Sequence, residues 1–248
     1  MLDAARLGMT ILRESDADAV ILKPAGVASE LTRDPRNESL LSRLRLSVAP
    51  GVSPKLVHRL DRVTRGVMVV AFTREAAAFH GEQIREGHWS KFYLARIPTP
   101  APGTLAERHL VGKHKAYIDE SGEPARLVRS GGKPSFLEVL AAAPAPDRPG
   151  QSHALIHLLT GRLHQIRVMM AGLGVPLCGD GTYGGRGPAS DLYLEHIALW
   201  HKRADTGEIE LAHLKADPQR ETFGRPIANA LKKVIEAPPP ARAPVTPE

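Results

Sequence analysis

Short apolar runs separated by polar or Gly/Pro turns recur along most of this 248-residue chain. None approaches the roughly 18 consecutive apolar residues of a membrane-spanning helix. The clearest is the unbroken run Val67–Phe72, which has the length of a strand and follows the polar turn Asp61–Gly66; Leu56–Leu60 reads as the strand before that turn. Punctuation of this kind, in a chain of this size, fits one large all-β or mixed domain.

The rest of the chain follows the same grammar. Met9–Leu12 and Ala19–Leu22 read as strands joined by a turn around Asp16–Asp18, and Lys23-Pro24-Ala25-Gly26 opens a loop. Helical spacing of Leu40, Leu41, Leu44 and Val48 predicts a helix over Glu38–Val48, capped by Asn37 or Ser39. Thr73 is placed to cap a second helix that runs to about Arg85, with Gly87 past its end. Trp89–Ile97 alternates as a strand, with Phe92, Leu94 and Arg96 on the face opposite Tyr93. Pro98–Gly150 reads as hairpins and long loops, and His153–Leu159 as another strand. A helix across Gly161–Leu173, capped by Thr160, buries Leu163, Ile166, Met170 and Leu173 and leaves Arg167 facing a cleft. Leu192–Trp200 and Glu208–Leu214 are the last strands and Ile227–Ile235 the last helix. Residues 1–236 are expected to form one domain, and the Pro-rich tail 237–248 to be disordered or polyproline-like.

Charge and cysteine content narrow the partners. The formal charge of +6 favours an anionic partner such as nucleic acid or an acidic membrane surface, although a basic solvated surface gives the same number. A single cysteine, Cys178, excludes an internal disulfide framework and every Cys-rich zinc site. Eleven histidines come without an H-E-x-x-H pattern or a carboxylate-rich ligand set, so no metal and no cofactor are expected. The N-terminus has acidic residues and no apolar core of a secretory signal, which places the chain in the cytoplasm by elimination.

The densest chemistry lies in His58-Arg59-Leu60-Asp61-Arg62-Val63-Thr64-Arg65-Gly66. One carboxylate sits among three arginines, and nearby cations favour its ionised form. An ionised aspartate on a turn suits a nucleophile and suits a general acid poorly. A surface salt-bridge cluster with Gly66 as a turn residue accounts for the same letters, and charge pattern alone does not separate the two.

This segment resembles the HRLD-x-x-T-S-G motif of RluA-type pseudouridine synthases, and three further stretches resemble that family in the same order. They are Lys23-Pro24-Ala25-Gly26, Lys91-Phe92-Tyr93-Leu94-Ala95, and Thr160-Gly161-Arg162-Leu163-His164-Gln165-Ile166-Arg167 with its continuation Gly174–Asp180 and Tyr183-Gly184. The resemblance implies an α+β catalytic fold on a long, bent, mostly antiparallel sheet with a central cleft. It also implies an enzyme that isomerises a uridine of ribosomal or transfer RNA. Asp61 would be the catalytic aspartate, Tyr93 the tyrosine against the target base and Arg167 the basic partner of the aspartate. Arg59 would take the place of the displaced nucleotide, and His58, Arg62 and Arg162 would contact RNA. RNA is then the partner, with no membrane and no metal, and a monomer is expected. No small S4-like domain is expected ahead of the catalytic strands.

Three positions depart from the family pattern: Val63, Arg65 where serine is usual, and Met169 where histidine is common. None removes Asp61, Tyr93 or Arg167, so the expectation is altered RNA choice with the chemistry retained. A catalytically idle RNA-binding protein, or a metal-dependent nucleotide hydrolase using Asp61, would be the competing readings.

Overall fold

A computed structural model describes residues 2–31, 38–215, 217 and 219–238. The expected cap Asn37 and nearly all of the expected tail lie outside them. The described residues form eleven strands and six α-helices, an α+β fold. They divide into two compact units that interleave along the chain, one built from Met1–Ser90 with Glu195–Ala216, the other from Lys91–Leu194 with the segment after Asp217.

The first unit contains α1 (Ala4–Leu7), β1 (Ile11–Glu14), β2 (Asp18–Lys23), α2 (Leu40–Ser47), β3 (Lys55–Leu56), β4 (Arg65–Ala71) and α3 (Arg74–Arg85). It is completed by β10 (Leu194–Lys202) and β11 (Ile209–His213), all elements being numbered in chain order. Strands β1, β2 and β4 pair antiparallel, β4 pairs parallel with β10, and β10 pairs antiparallel with β11. Every residue from Gly66 to Ala71 is buried, which is why β4 reads as an unbroken apolar run. On one face Val20, Val67, Val69, Trp89, Leu199 and Ala212 pack together, with Ile84 of α3 against them.

The starts of α2 and α3 are legible. Ser39 and Ser42 form a reciprocal capping box at α2, and Thr73 Oγ1 accepts from Ala76 N at 3.0 Å at α3. The expected strand Leu56–Leu60 is a correction, because only Lys55 and Leu56 pair with β4. Past that point β4 meets side chains. His58 Nε2 accepts from Val69 N at 3.0 Å, and His196 Nδ1 donates to Val67 O at 2.7 Å. Two imidazoles thus satisfy ladder groups between β3 and β10, and residues 57–60 are released from strand geometry.

The second unit contains β5 (Ser90–Pro98), α4 (Leu105–His109), β6 (Gly112–Asp119), β7 (Arg126–Val128), β8 (Lys133–Pro144), β9 (Gln151–Leu158), α5 (Gln165–Gly172) and α6 (Arg225–Glu236). The strand order is β5-β9-β8-β6-β7, antiparallel throughout. The stretch expected as hairpins and loops is more regular than its Gly and Pro content implies, since β8 alone runs for 12 residues.

Directly opposed residues share a sheet face. Tyr93 opposes Ile156, and Ile156 opposes Val139. The same parity carries through Leu137 and His114 on β6 to Ile118 and Leu127. A Cβ added at Gly172 would fall 2.3 Å from Leu127 Cδ1, so α5 lies on the face that carries Tyr93. Arg96 opposes His153 on the other face. There Glu221 accepts from Arg96 Nη1 and pairs with His153 Nε2 at 2.7 Å, securing the segment that leads into α6.

Helix α5 also corrects the sequence expectation. It begins at Gln165, four residues later than expected, because His164 adopts φ 54° in the left-handed region. Thr160 does not cap it. The Gln165 side chain organises the entry instead, accepting from Arg162 N at 3.0 Å and Thr160 Oγ1 at 2.8 Å and donating to Phe136 O at 2.9 Å. Gln165 to Met170 are all buried, so the helix has no exposed polar side over those residues.

Candidate active site

In the first unit the loop carrying Asp61 is fastened on both sides to the loop after β2. Ser29 Oγ donates to Leu60 O at 2.6 Å and accepts from Leu60 N at 3.1 Å. Gly26 N donates to Arg62 O at 2.7 Å, and Arg62 Nε returns a bond to Gly26 O at 2.9 Å. Asp61 O accepts from Thr64 N at 3.0 Å and closes a turn. Between these anchors Asp61 is half-buried and Arg59 and Arg62 are exposed.

Lys23, at the end of β2, supplies the charge behind this turn. It is 1% exposed, and its Nζ donates to Pro24 O at 2.9 Å and Val27 O at 2.7 Å. Burial lowers its pKa to about 8, against the opposing attraction of the Asp61 carboxylate. The buried ammonium therefore bends the Pro24–Val27 segment and places positive charge near Asp61.

The other first-unit residues singled out from sequence have distinct surroundings. Arg59 Nη1 pairs with Glu30 Oε2 at 2.7 Å, an exposed ion pair. His58, expected to contact RNA, is half-buried, uses Nε2 to accept from Val69 N and packs edge-on against Trp89 at 5.0 Å between ring centroids. Gly66 has φ 119°, and a Cβ there would fall 2.3 Å from His196 O. Glycine is required where β4 and β10 approach, which explains its place in the motif.

In the second unit Tyr93 is a buried residue of β5. Arg167, on α5 over the same sheet face, is 5% exposed and bidentate to Asp180, with Nε to Oδ2 at 2.7 Å and Nη2 to Oδ1 at 2.8 Å. Its guanidinium also lies over the Tyr183 ring, 5.1 Å from the centroid. Tyr183 Oη donates to Ala125 O at 3.1 Å and lies 2.9 Å from His164 Nδ1. The motif residues of the Thr160–Arg167 stretch and of Asp180–Tyr183 thus form one packed cluster.

Arg162 is half-buried in the loop before α5, and its Nη2 reaches Pro134 O at 3.5 Å. Glu120 accepts from Leu163 N at 2.6 Å and from Lys133 Nζ at 2.7 Å, which fastens that loop to the β6–β7 turn. The first unit therefore groups His58, Arg59, Asp61 and Arg62 with Lys23, and the second groups Tyr93, Arg162 and Arg167 on one side of its sheet. Sequence reasoning missed Ser29, Glu120 and the partnership of Asp180 with Arg167. A lone acid inside the Gly-rich loop 179–187 was the available signal for the last.

The sequence signature of RNA pseudouridylate synthases matches residues 19–172. The chain is 32% identical over 203 residues to the dual-specificity RNA pseudouridine synthase RluA of Escherichia coli (strain K12), covering 78% of this chain and 87% of that protein. It is 31% identical over 221 residues to ribosomal large subunit pseudouridine synthase D of Nitrosomonas europaea, covering 85% of this chain and 60% of that one. The fold is shared with human RNA pseudouridylate synthase domain containing 1, with TM-score 0.70 at 24% identity, covering 97% of this chain and all of that one. This chain belongs to the RNA pseudouridine synthase family. It is accordingly an isomerase that converts uridine in RNA to pseudouridine.

Proposed function

We propose that the chain isomerises a specific uridine of ribosomal or transfer RNA by extruding the nucleotide and acting on it with Asp61. The carrying observation is the Asp61 turn, bonded through both neighbours to the loop after β2 and placed near the buried Lys23 ammonium. A carboxylate held this way has its orientation set before substrate arrives, which is what positioning contributes to rate.

The reaction exchanges one bond for another. The C1′–N1 bond breaks, the uracil turns, C5 bonds to C1′, and the hydrogen on C5 leaves while N1 gains a proton. Neither redox change nor an external nucleophile is needed, and on this reading the enzyme works as a monomer in the cytoplasm without metal or cofactor. Neither C5 nor N1 can be exchanged in a stacked base, so the nucleotide leaves its stack at a cost of a few kcal/mol. Arg59 fills the vacated place, its planar guanidinium both stacking and bonding phosphate. Tyr93 lies against the extruded base, a contact worth about 1–3 kcal/mol in comparable sites. Asp61 then attacks C1′ or lends its charge as the glycosidic bond breaks. The family resemblance assigns Arg167 a basic role in catalysis, and His58, Arg62 and Arg162 contribute to holding RNA.

The test measures loss of the C5 hydrogen, as tritium, from RNA labelled at C5 of uridine and taken from a strain lacking this gene. Wild-type protein releases tritium and Asp61→Asn releases none, while binding the same RNA. Tritium release by Asp61→Asn at the wild-type rate would falsify the assignment. Mapping pseudouridines in ribosomal and transfer RNA of that strain identifies the uridine.

A further inference from the structure

We infer that Ser29 is a positioning residue for the reaction, acting through Leu60 to aim the Asp61 carboxylate; the inference rests on the reading of Asp61 given above. Ser29 lies in the loop that Lys23 bends, yet the four-letter motif there ends at Gly26. Its hydroxyl is the donor to Leu60 O and the acceptor from Leu60 N, at 2.6 and 3.1 Å, so a single side chain meets both backbone groups of the residue preceding Asp61. A hydroxyl can do this because it carries one hydrogen and two lone pairs. No apolar residue of that size can.

The surroundings make the bonds count. Ser29 is 5% exposed and Leu60 is also 5% exposed, so water is a poor substitute for either bond. Met68 Sδ lies 3.9 Å from Ser29 Oγ on the side of β4, placing the hydroxyl between the sheet and the catalytic loop. The loop bearing Ser29 is itself pinned, because Leu40 N donates to Ala28 O at 2.8 Å and Leu41 N to Ser29 O at 3.1 Å, which ties it to the first turn of α2. Downstream, Arg62 is held by Gly26 in two bonds. Asp61 thus hangs between two fastened neighbours, and among the described residues Ser29 supplies the side-chain bonds of the upstream fastening. Removing it frees the Leu60 peptide to rotate while Arg62 stays anchored, and that rotation turns the carboxylate away from its target. A displacement of about 1 Å at a reacting group can lower turnover about 100-fold.

The experiment compares Ser29→Ala, Ser29→Thr and Leu231→Ala by tritium release under saturating RNA, each well below its melting temperature. Leu231 is a buried residue of α6 in the other unit and serves as a control for instability alone. Expected for Ser29→Ala is a kcat lower by about 10- to 100-fold with KM within about 2-fold, since RNA contacts are untouched. Ser29→Thr keeps the hydroxyl and recovers most of the loss, and Leu231→Ala retains the wild-type kcat. A Ser29→Ala enzyme with wild-type kcat overturns the inference, as does a loss that Leu231→Ala reproduces at equal loss of melting temperature. Asp61→Asn, run alongside, separates the layers. If it is inactive and Ser29→Ala is fully active, only the positioning role fails; if it is active, the reading of Asp61 fails as well.

Discussion

Replacing Gly66 by alanine drives a methyl group into the backbone of a neighbouring strand. Gly66 opposes His196 where β4 and β10 run parallel, and an added Cβ would lie 2.3 Å from His196 O, 2.7 Å from its N and 2.8 Å from its C. Favourable contacts at a carbon begin near about 3.5 Å, so the strands must part by roughly 1 Å. They cannot do so independently, because His196 also donates to Val67 O. Overpacking of a rigid site costs about 1–3 kcal/mol, and the φ of 119° adds about 1–3 kcal/mol for a residue with a Cβ. The combined loss is about 2–6 kcal/mol, equivalent to a fall in melting temperature of about 4–24 °C for a chain of this length. Gly51→Ala separates the two contributions, since Gly51 has φ 88° with no atom within 4 Å of an added Cβ. It should lose only the backbone part, about 1–3 kcal/mol. Thermal unfolding followed by circular dichroism measures both. If Gly66→Ala melts within about 2 °C of wild type, or falls no further than Gly51→Ala, the close approach of β4 and β10 is wrong.

Two more outcomes concern buried charge. Burial would raise the Asp18 pKa, but hydrogen bonds from His80 and Arg13 override it and hold this carboxyl well below the usual range. Its stabilising contribution is therefore full above the unfolded carboxylate pKa of about 3.9 and is lost as pH falls below that. Asp18→Asn should cost about 3–5 kcal/mol at pH 7 and flatten the acid limb of stability, and urea midpoints between pH 7 and pH 3 that run parallel to wild type would contradict this. In the second unit Glu221→Ala strips one partner from Arg96, which keeps Asp191, and the carboxylate from His153, both at most 2% exposed. A loss of about 3–5 kcal/mol is expected, with faster hydrogen exchange in α6 than in α3, and unchanged α6 protection would count against Glu221 as its anchor.

How legible the molecule was in its letters differs from element to element. The caps at Ser39 and Thr73 and the strand Val67–Phe72 were readable because each depends on residues within a few positions. The strand expected at Leu56–Leu60 failed because two imidazoles, from His58 and His196, meet the β4 ladder there. The early start expected for α5 failed because Gln165 replaces Thr160 as the organiser of the helix entry. Arg167, expected to face a cleft, is buried and bidentate to Asp180.

The amino-acid sequence by itself determined the family, the basic character, most of the strands and helices outside Pro98–Gly150, and the presence of an aspartate among arginines on a turn. These are properties of neighbouring letters and of motif order. Only the tertiary structure decided that a serine 31 positions before Leu60 meets its peptide on both sides, that Arg167 is bidentate to Asp180, and that Gly66 must lack a side chain. Hydrogen bonds and close approaches between distant segments depend on where folding delivers those segments, and no local pattern encodes that distance.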